Sequence, residues 1–128
     1  MEGFINIITL NVGLSSTFAG ICTLATINNV DIILLQEVRG CSDELNSIMG
    51  KLGFECEVNV NKENPSKPGT AIAWRRTLLI KEVFTLLDCR LQVALLGKVA
   101  IINLYAPSGT DKKHQRELFF SRDVFDVT

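Results

Sequence analysis

The sequence predicts an α/β domain built on a mixed sheet with flanking helices, in which strand outweighs helix. Three observations predict it. A strand, a helix and a second strand follow one another at the N-terminus. A series of strand-like runs separated by turn residues fills the middle. And 128 residues with 47% hydrophobic and 21% charged composition suit one domain with a real core rather than two. These proportions exclude intrinsic disorder, a collagen-like repeat and a coiled coil.

Phe4 to Leu10, rich in Ile and Phe, reads as a strand buried on both faces. Asn11-Val12-Gly13 closes it with turn-type residues. Ser16 or Thr17 can cap a helix in which Phe18, Ile21, Cys22 and Ala25 recur at helical spacing, ended by Asn28-Asn29. Asp31 to Glu37 is an unbroken apolar run with a carboxylate at its exit. Strand, helix and strand in this order form a crossover unit within one sheet. Ser42 opens a short helix carrying Leu45, Ile48, Met49 and Leu52, stopped by Gly53. Phe54, Cys56, Val58 and Val60 alternate with Glu55, Glu57 and Asn59, a strand with one wet face. A polar loop from Asn61 to Pro68 leads to strands over Gly69–Trp74 and Leu78–Leu87. Leu91–Leu96 and Val99–Tyr105 form a hairpin around Gly97-Lys98. Pro107-Ser108-Gly109 ends the run, and Asp111 to about Phe125 reads as a helix.

No charged residue occurs between Gly3 and Val30. A membrane anchor or signal peptide is disfavoured, because the stretch is broken by Asn, Ser, Thr and Gly and lacks a basic start. A core strand followed by a core helix explains it. The net charge of -1 excludes condensation on nucleic acid or a membrane by overall charge. The four cysteines form no C-x-x-C pair and only one histidine, His114, is present, so a Cys/His zinc site is disfavoured. Buried thiols in an intracellular, cytoplasmic or nuclear setting are the expectation, with no membrane partner.

Asn11 lies just past the first strand and Glu37 ends the second. If the strands are neighbours, an amide and a carboxylate meet at the sheet edge where ligands bind in such folds. Mg²⁺ commonly uses one or two carboxylates with water and phosphate oxygens. The plainer reading makes Asn11 a turn residue and Glu37 a solvated strand end. Asn103 and Tyr105 share a strand face with Val99 and Ile101, a face that turns polar and forms a rim. Lys112-Lys113-His114-Gln115-Arg116 and Arg75-Arg76 are the concentrated positive charges. The first follows Tyr105 closely enough to contact phosphate, and His114 reads as a surface residue.

The segments ITLNV, DIILLQEV, PGTAIAWRR and VAIINLYAPSG, in that order and spacing, resemble the endonuclease/exonuclease/phosphatase superfamily. Within it they are most similar to the apurinic-endonuclease-like domain of non-LTR retrotransposons, as is the closing YAPSGTDKKHQRELFF. The resemblance spans about residues 4 to 122. It implies a DNase I-like four-layered α/β sandwich that hydrolyses phosphoesters with a divalent metal, usually Mg²⁺, with Mn²⁺ as the alternative ion. It implies Glu37 as metal ligand, Asn11 and Tyr105 as catalytic residues, and Ser108, Arg116, Lys112 and Lys113 as nucleic-acid or phosphate contacts. Gly13 stands where relatives carry a second Asn or Asp, and no Gly-Asp-Phe-Asn or Ser-Asp-His type segment occurs. Residues 1–128 therefore read as the N-terminal half of one such domain. The expected function is Mg²⁺-dependent hydrolysis of DNA, inactive in this chain alone, with self-association through an uncovered sheet. Two other readings stand beside it: a non-catalytic module binding nucleic acid or protein, and a phosphatase of the same superfamily.

Overall fold

A computed structural model describes residues 4–12, 29–39, 42–64, 66–86 and 89–106. The elements in chain order are β1 (Ile7–Asn11), β2 (Ile32–Val38), α1 (Ser42–Lys51), β3 (Phe54–Asn59), β4 (Gly69–Arg75), β5 (Ile80–Leu86), β6 (Leu91–Leu96) and β7 (Val99–Leu104). They form a four-stranded sheet ordered β1-β2-β4-β3 and a three-stranded sheet ordered β5-β6-β7. β1 and β2 are parallel, Ile7 opposite Ile32 and Asn11 opposite Gln36, as the crossover pattern requires. All other pairings are antiparallel. The mixed α/β class is as expected, and α1, the four-stranded sheet and the three-stranded sheet make three stacked layers among the described residues.

Side-chain alternation assigns each face of the four-stranded sheet. Ile33, Leu35, Ala71, Ala73 and Phe54 point toward α1 and bury Leu45 and Met49, each such side chain contributing roughly 1.5–3 kcal/mol. α1 carries Asp43 and Glu44 in its first turn and Lys51 in its last, charges that suit the helix dipole. It stops at Gly53, whose φ of 87° glycine adopts without strain. Ile32, Leu34 and Ile72 point the other way and meet Ala94 and Ile101 of the three-stranded sheet. Gly97, with φ 59°, turns the β6–β7 hairpin.

Three expectations are corrected. The first strand starts at Ile7 rather than Phe4, includes Asn11, and alternates exposed with half-buried residues. It is the end strand of its sheet, so only its Ile8 and Leu10 face packs on the core. Asn103 is interior rather than part of a rim, because it lies between the sheets and is 0% exposed. The strand expected from Leu78 starts at Ile80 and runs to Leu86, beyond which Leu87 lies outside the described residues. The helix expected from Ser16 or Thr17 to Asn29 lies outside the described residues up to its final Asn29. The helix over 111–125 lies outside them entirely.

Candidate active site

β1 and β2 deliver Asn11 and Glu37 to one edge of the four-stranded sheet. Asn11 Nδ2 donates to Glu37 Oε1 at 3.1 Å, so the two residues meet as the sequence suggested. Glu37 does not simply end a strand. Gln36 opposes Thr70 and Val38 opposes Gly69, leaving Glu37 as an extra residue in the β2–β4 ladder. Its φ is 57°, a left-handed conformation that costs a residue other than glycine of order 1–3 kcal/mol. Bulges of this kind re-aim a side chain. Here the bulge sits at the position that bears the carboxylate.

Tyr105 follows β7 at the same end of the molecule. Ile101 packs with Ile32 and Leu34 and Asn103 bonds to Leu35 and Gln36. β7 thus advances in the same direction as β2, and Tyr105 emerges on Glu37's side. Tyr105 is 9% exposed, with the Arg90 guanidinium 5.0 Å from its ring centroid, a cation–π arrangement. Arg90 Nη1 also donates to the Tyr105 carbonyl at 3.3 Å, and Tyr105 N donates to Arg90 O at 2.9 Å. Arg90 is the neighbour of Tyr105 that the sequence reading missed. Its pairing with Tyr105 depends on the β6–β7 register, which no local pattern displays.

A second missed feature lies directly beneath. Asn11, Gln36, Thr70 and Asn59 occupy consecutive register positions across all four strands. Thr85, Gln92 and Asn103 do the same across the facing sheet. Gln36 Nε2 donates to Thr9 Oγ1 at 2.8 Å and to Asn103 Oδ1 at 2.9 Å. Asn103 Nδ2 donates to Leu35 O and Ala71 O, both at 3.0 Å, with Gln92 Oε1 at 3.3 Å. Gln92 Nε2 reaches Glu57 O at 3.0 Å, and Thr70 Oγ1 reaches Cys89 O at 3.2 Å. The signal in the sequence was a polar residue at an inward position of each strand, Gln92 between Leu91 and Val93 and Asn103 between Ile102 and Leu104. Two buried donors at this end, Arg39 Nε and Asn59 Nδ2, have no hydrogen-bond partner among the described residues. Such atoms are uncommon in native folds.

Other expected residues lie elsewhere. Arg75 and Arg76 are at the opposite end of β4 and are occupied structurally. Arg75 Nε donates to Val30 O at 2.7 Å and its guanidinium lies 4.6 Å from the centre of the Phe54 ring. Arg76 Nη2 donates to Gly50 O at 2.8 Å, capping the end of α1. Ser108, Lys112, Lys113 and Arg116 lie outside the described residues. Among the described residues, no group of three or more His, Cys, Asp or Glu side chains is placed to hold a metal, and no helix is long and apolar enough to cross a membrane. One carboxylate hydrogen-bonded by an amide is a donor set for a hard cation that leans on water and phosphate. It does not suit zinc, which wants three or four nitrogen, sulfur or carboxylate ligands.

No family model and no curated protein matches the sequence. Solved structures do match. An AP endonuclease from Archaeoglobus fulgidus is 19% identical over 96% of this chain and 50% of its own, with a TM-score of 0.76. The 3′ phosphatase NExo from Neisseria, bound to a product DNA hairpin, is 22% identical over 97% of this chain and 51% of its own, with a TM-score of 0.79. TDP2 from Caenorhabditis elegans is 19% identical over 98% of this chain and 42% of its own, with a TM-score of 0.69. This chain therefore spans about half the length of the structures it matches. The fold is the one these structures share, represented here by part of a DNase I-like α/β sandwich.

Proposed function

We propose that this chain contributes the metal-binding and phosphate-orienting side of a site that hydrolyses phosphodiester bonds in DNA. The observation that carries this reading is the carboxylate of Glu37, held on a left-handed bulge and hydrogen-bonded by Asn11. Backbone strain at a carboxylate on a sheet edge is a reason to look for function there. The end of the molecule that gathers Glu37, Tyr105 and Arg90 also holds the unsatisfied donors Arg39 and Asn59, which suits an anionic substrate. DNA is favoured over other phosphoesters because two of the matched structures are an AP endonuclease and a phosphatase bound to a DNA hairpin.

In this reading Glu37 holds Mg²⁺ or Mn²⁺, and the ion supplies Lewis-acid polarisation of the phosphate. Asn11 fixes the carboxylate, and Tyr105, clamped by Arg90, orients the phosphate. Lys112, Lys113, Arg116 and Ser108 extend the contact along the backbone. A base that activates water is not among these residues, so the reading includes a complementing segment with a Gly-Asp-Phe-Asn and a Ser-Asp-His type motif. Self-association is part of the same proposal. It is supported by the row Phe84, Val93 and Ile102 on the outer face of the three-stranded sheet, with Phe84 41% and Ile102 51% exposed.

The test is nicking of supercoiled plasmid by residues 1–128 with Mg²⁺, alone and with a complementing segment from a full-length protein of this fold, with oligomeric state measured alongside. The expected result is nicking only after complementation, lost in Glu37→Gln. Nicking that survives Glu37→Gln would overturn the assignment of the metal ligand. Nicking by the 128 residues alone would overturn the shared-site reading.

A further inference from the structure

Asn103 is the most completely engaged polar side chain of the interior. It is 0% exposed, and its one amide group makes contact with three strands. Nδ2 donates to Leu35 O of β2 and Ala71 O of β4, which face each other in the ladder. Oδ1 accepts from Gln36 Nε2. Leu35 and Gln36 are the two residues that precede Glu37. Gln36 is held from its other side by Thr9, a residue of the strand that ends in Asn11.

A bulge residue with positive φ keeps that conformation only when its surroundings over-determine it. On the four-stranded sheet the β2–β4 ladder is interrupted at this point, while Val12 N donates to Gln36 O at 3.0 Å and Asn11 bonds the Glu37 carboxylate. The opposite sheet adds a second hold. Asn103 reaches the two residues before the bulge through backbone and side chain at once.

We propose that Asn103, acting through Gln36, is a positioning residue for Glu37. The buried amides between the sheets set the bulge and with it the Asn11–Glu37 pair. This rests on the metal-site reading for its functional meaning but not for its structural test. Without the lock, residue 37 relaxes toward ordinary extended backbone, the carboxylate turns away from Asn11, and the cation site loosens. Partners in the shell outside the metal ligands commonly alter metal affinity roughly 10–100-fold.

The experiment uses ¹⁵N-labelled residues 1–128 as wild type, Asn103→Ser, Gln36→Met and Thr9→Val. Gln36→Met leaves Asn103 on both carbonyls and removes the Gln36 bonds to Asn103 and to Thr9, so it reports even if Asn103→Ser does not fold. Thr9→Val, which removes the second bond alone, is expected to leave the Glu37 signal in place. Without metal, Asn103→Ser and Gln36→Met are both expected to shift the Asn11 side-chain amide resonances and the Glu37 backbone amide, with loss of the positive-φ coupling at Glu37. Unchanged Asn11 and Glu37 signals in a folded Gln36→Met would overturn the proposal, even if Leu35 and Ala71 moved. Mn²⁺ is then titrated and paramagnetic broadening read at Glu37. Wild type is expected to broaden first, and Gln36→Met at about tenfold higher Mn²⁺. Equal midpoints would overturn the functional half of the proposal. Absence of broadening in wild type would instead overturn the metal reading, while the metal-free signals still decide the positioning role.

Discussion

The four-stranded sheet buries one face against α1 and the other against the three-stranded sheet, and the two interiors are built on different rules. Toward α1 the contacts are apolar from end to end, with Ile33, Leu35, Leu45, Met49, Phe54, Ala71 and Ala73 in one cluster. Between the sheets, Ile32, Leu34, Ile72, Ala94 and Ile101 pack at one end. At the other end, amides and hydroxyls face each other. A uniform apolar layer stabilises without orienting anything, since hydrophobic burial has no direction. Hydrogen bonds have direction, and buried ones are costly to break. The layer that orients lies under Glu37 and Tyr105, and the layer that only stabilises lies on the far face.

The largest expected effect tests the apolar layer. Leu45→Ala should cost about 2–5 kcal/mol in urea unfolding, through lost burial and a residual cavity. Asn103→Leu, of similar volume, should cost about 1–3 kcal/mol by removing one hydrogen-bond partner from each of Gln36, Leu35 and Ala71. A cost for Asn103→Leu equal to that of Leu45→Ala would erase the distinction between the layers. A cost near zero would mean the amides are not a unit.

Glu37→Gly should move stability the other way. Glycine accepts φ 57° without strain. Partly offset by its freer unfolded chain, the net gain should be up to about 1 kcal/mol. The same variant should show no Mn²⁺ response at position 37. Loss of stability would show that Glu37 is kept for the fold rather than for its carboxylate.

An effect that is smallest near neutral pH and grows only in alkali concerns Cys56, on the apolar face of β3. Burial, with a smaller contribution from the charge of Glu57, pushes its thiol up to about 12. An unfolded cysteine releases its proton near 8.5. Above that pH the unfolded chain is favoured as thiolate while the folded thiol stays neutral, so stability falls as pH rises from about 8.5 toward 12. Cys56→Val should flatten the alkaline decline by roughly 1 kcal/mol per pH unit, measured as unfolding midpoints from pH 8 to 11. Parallel declines in the two proteins would show that the thiol is not dry.

The apolar layer was legible in the sequence because its spacing is local. Leu45 and Met49 lie one turn apart, and Phe54, Cys56 and Val58 alternate with charge. The meeting of Asn11 and Glu37 was legible for a related reason, since a crossover unit brings the ends of adjacent parallel strands together. The bulge was not, because the run from Ile32 to Val38 carries no glycine to announce a positive φ. The interior place of Asn103 was not legible either, because alternation gives its face but not what covers that face. Arg90 carried no signal until β6 and β7 were in register.

The hydrogen bond from Gln36 to Asn103 joins residues 67 positions apart, and that separation bears on how the protein comes to be made. Helix α1 and the β6–β7 hairpin close over short stretches of chain and can form early, whereas distant pairings pay loop-closure entropy first and arrive slowly. During synthesis, β1 to β4 emerge before Asn103 has been joined to the chain. A nascent chain with its first sheet complete therefore still lacks the lock on residue 37. If Asn103 positions residue 37 as proposed, the Asn11–Glu37 pair is set only once translation has passed β7 and the two sheets have docked.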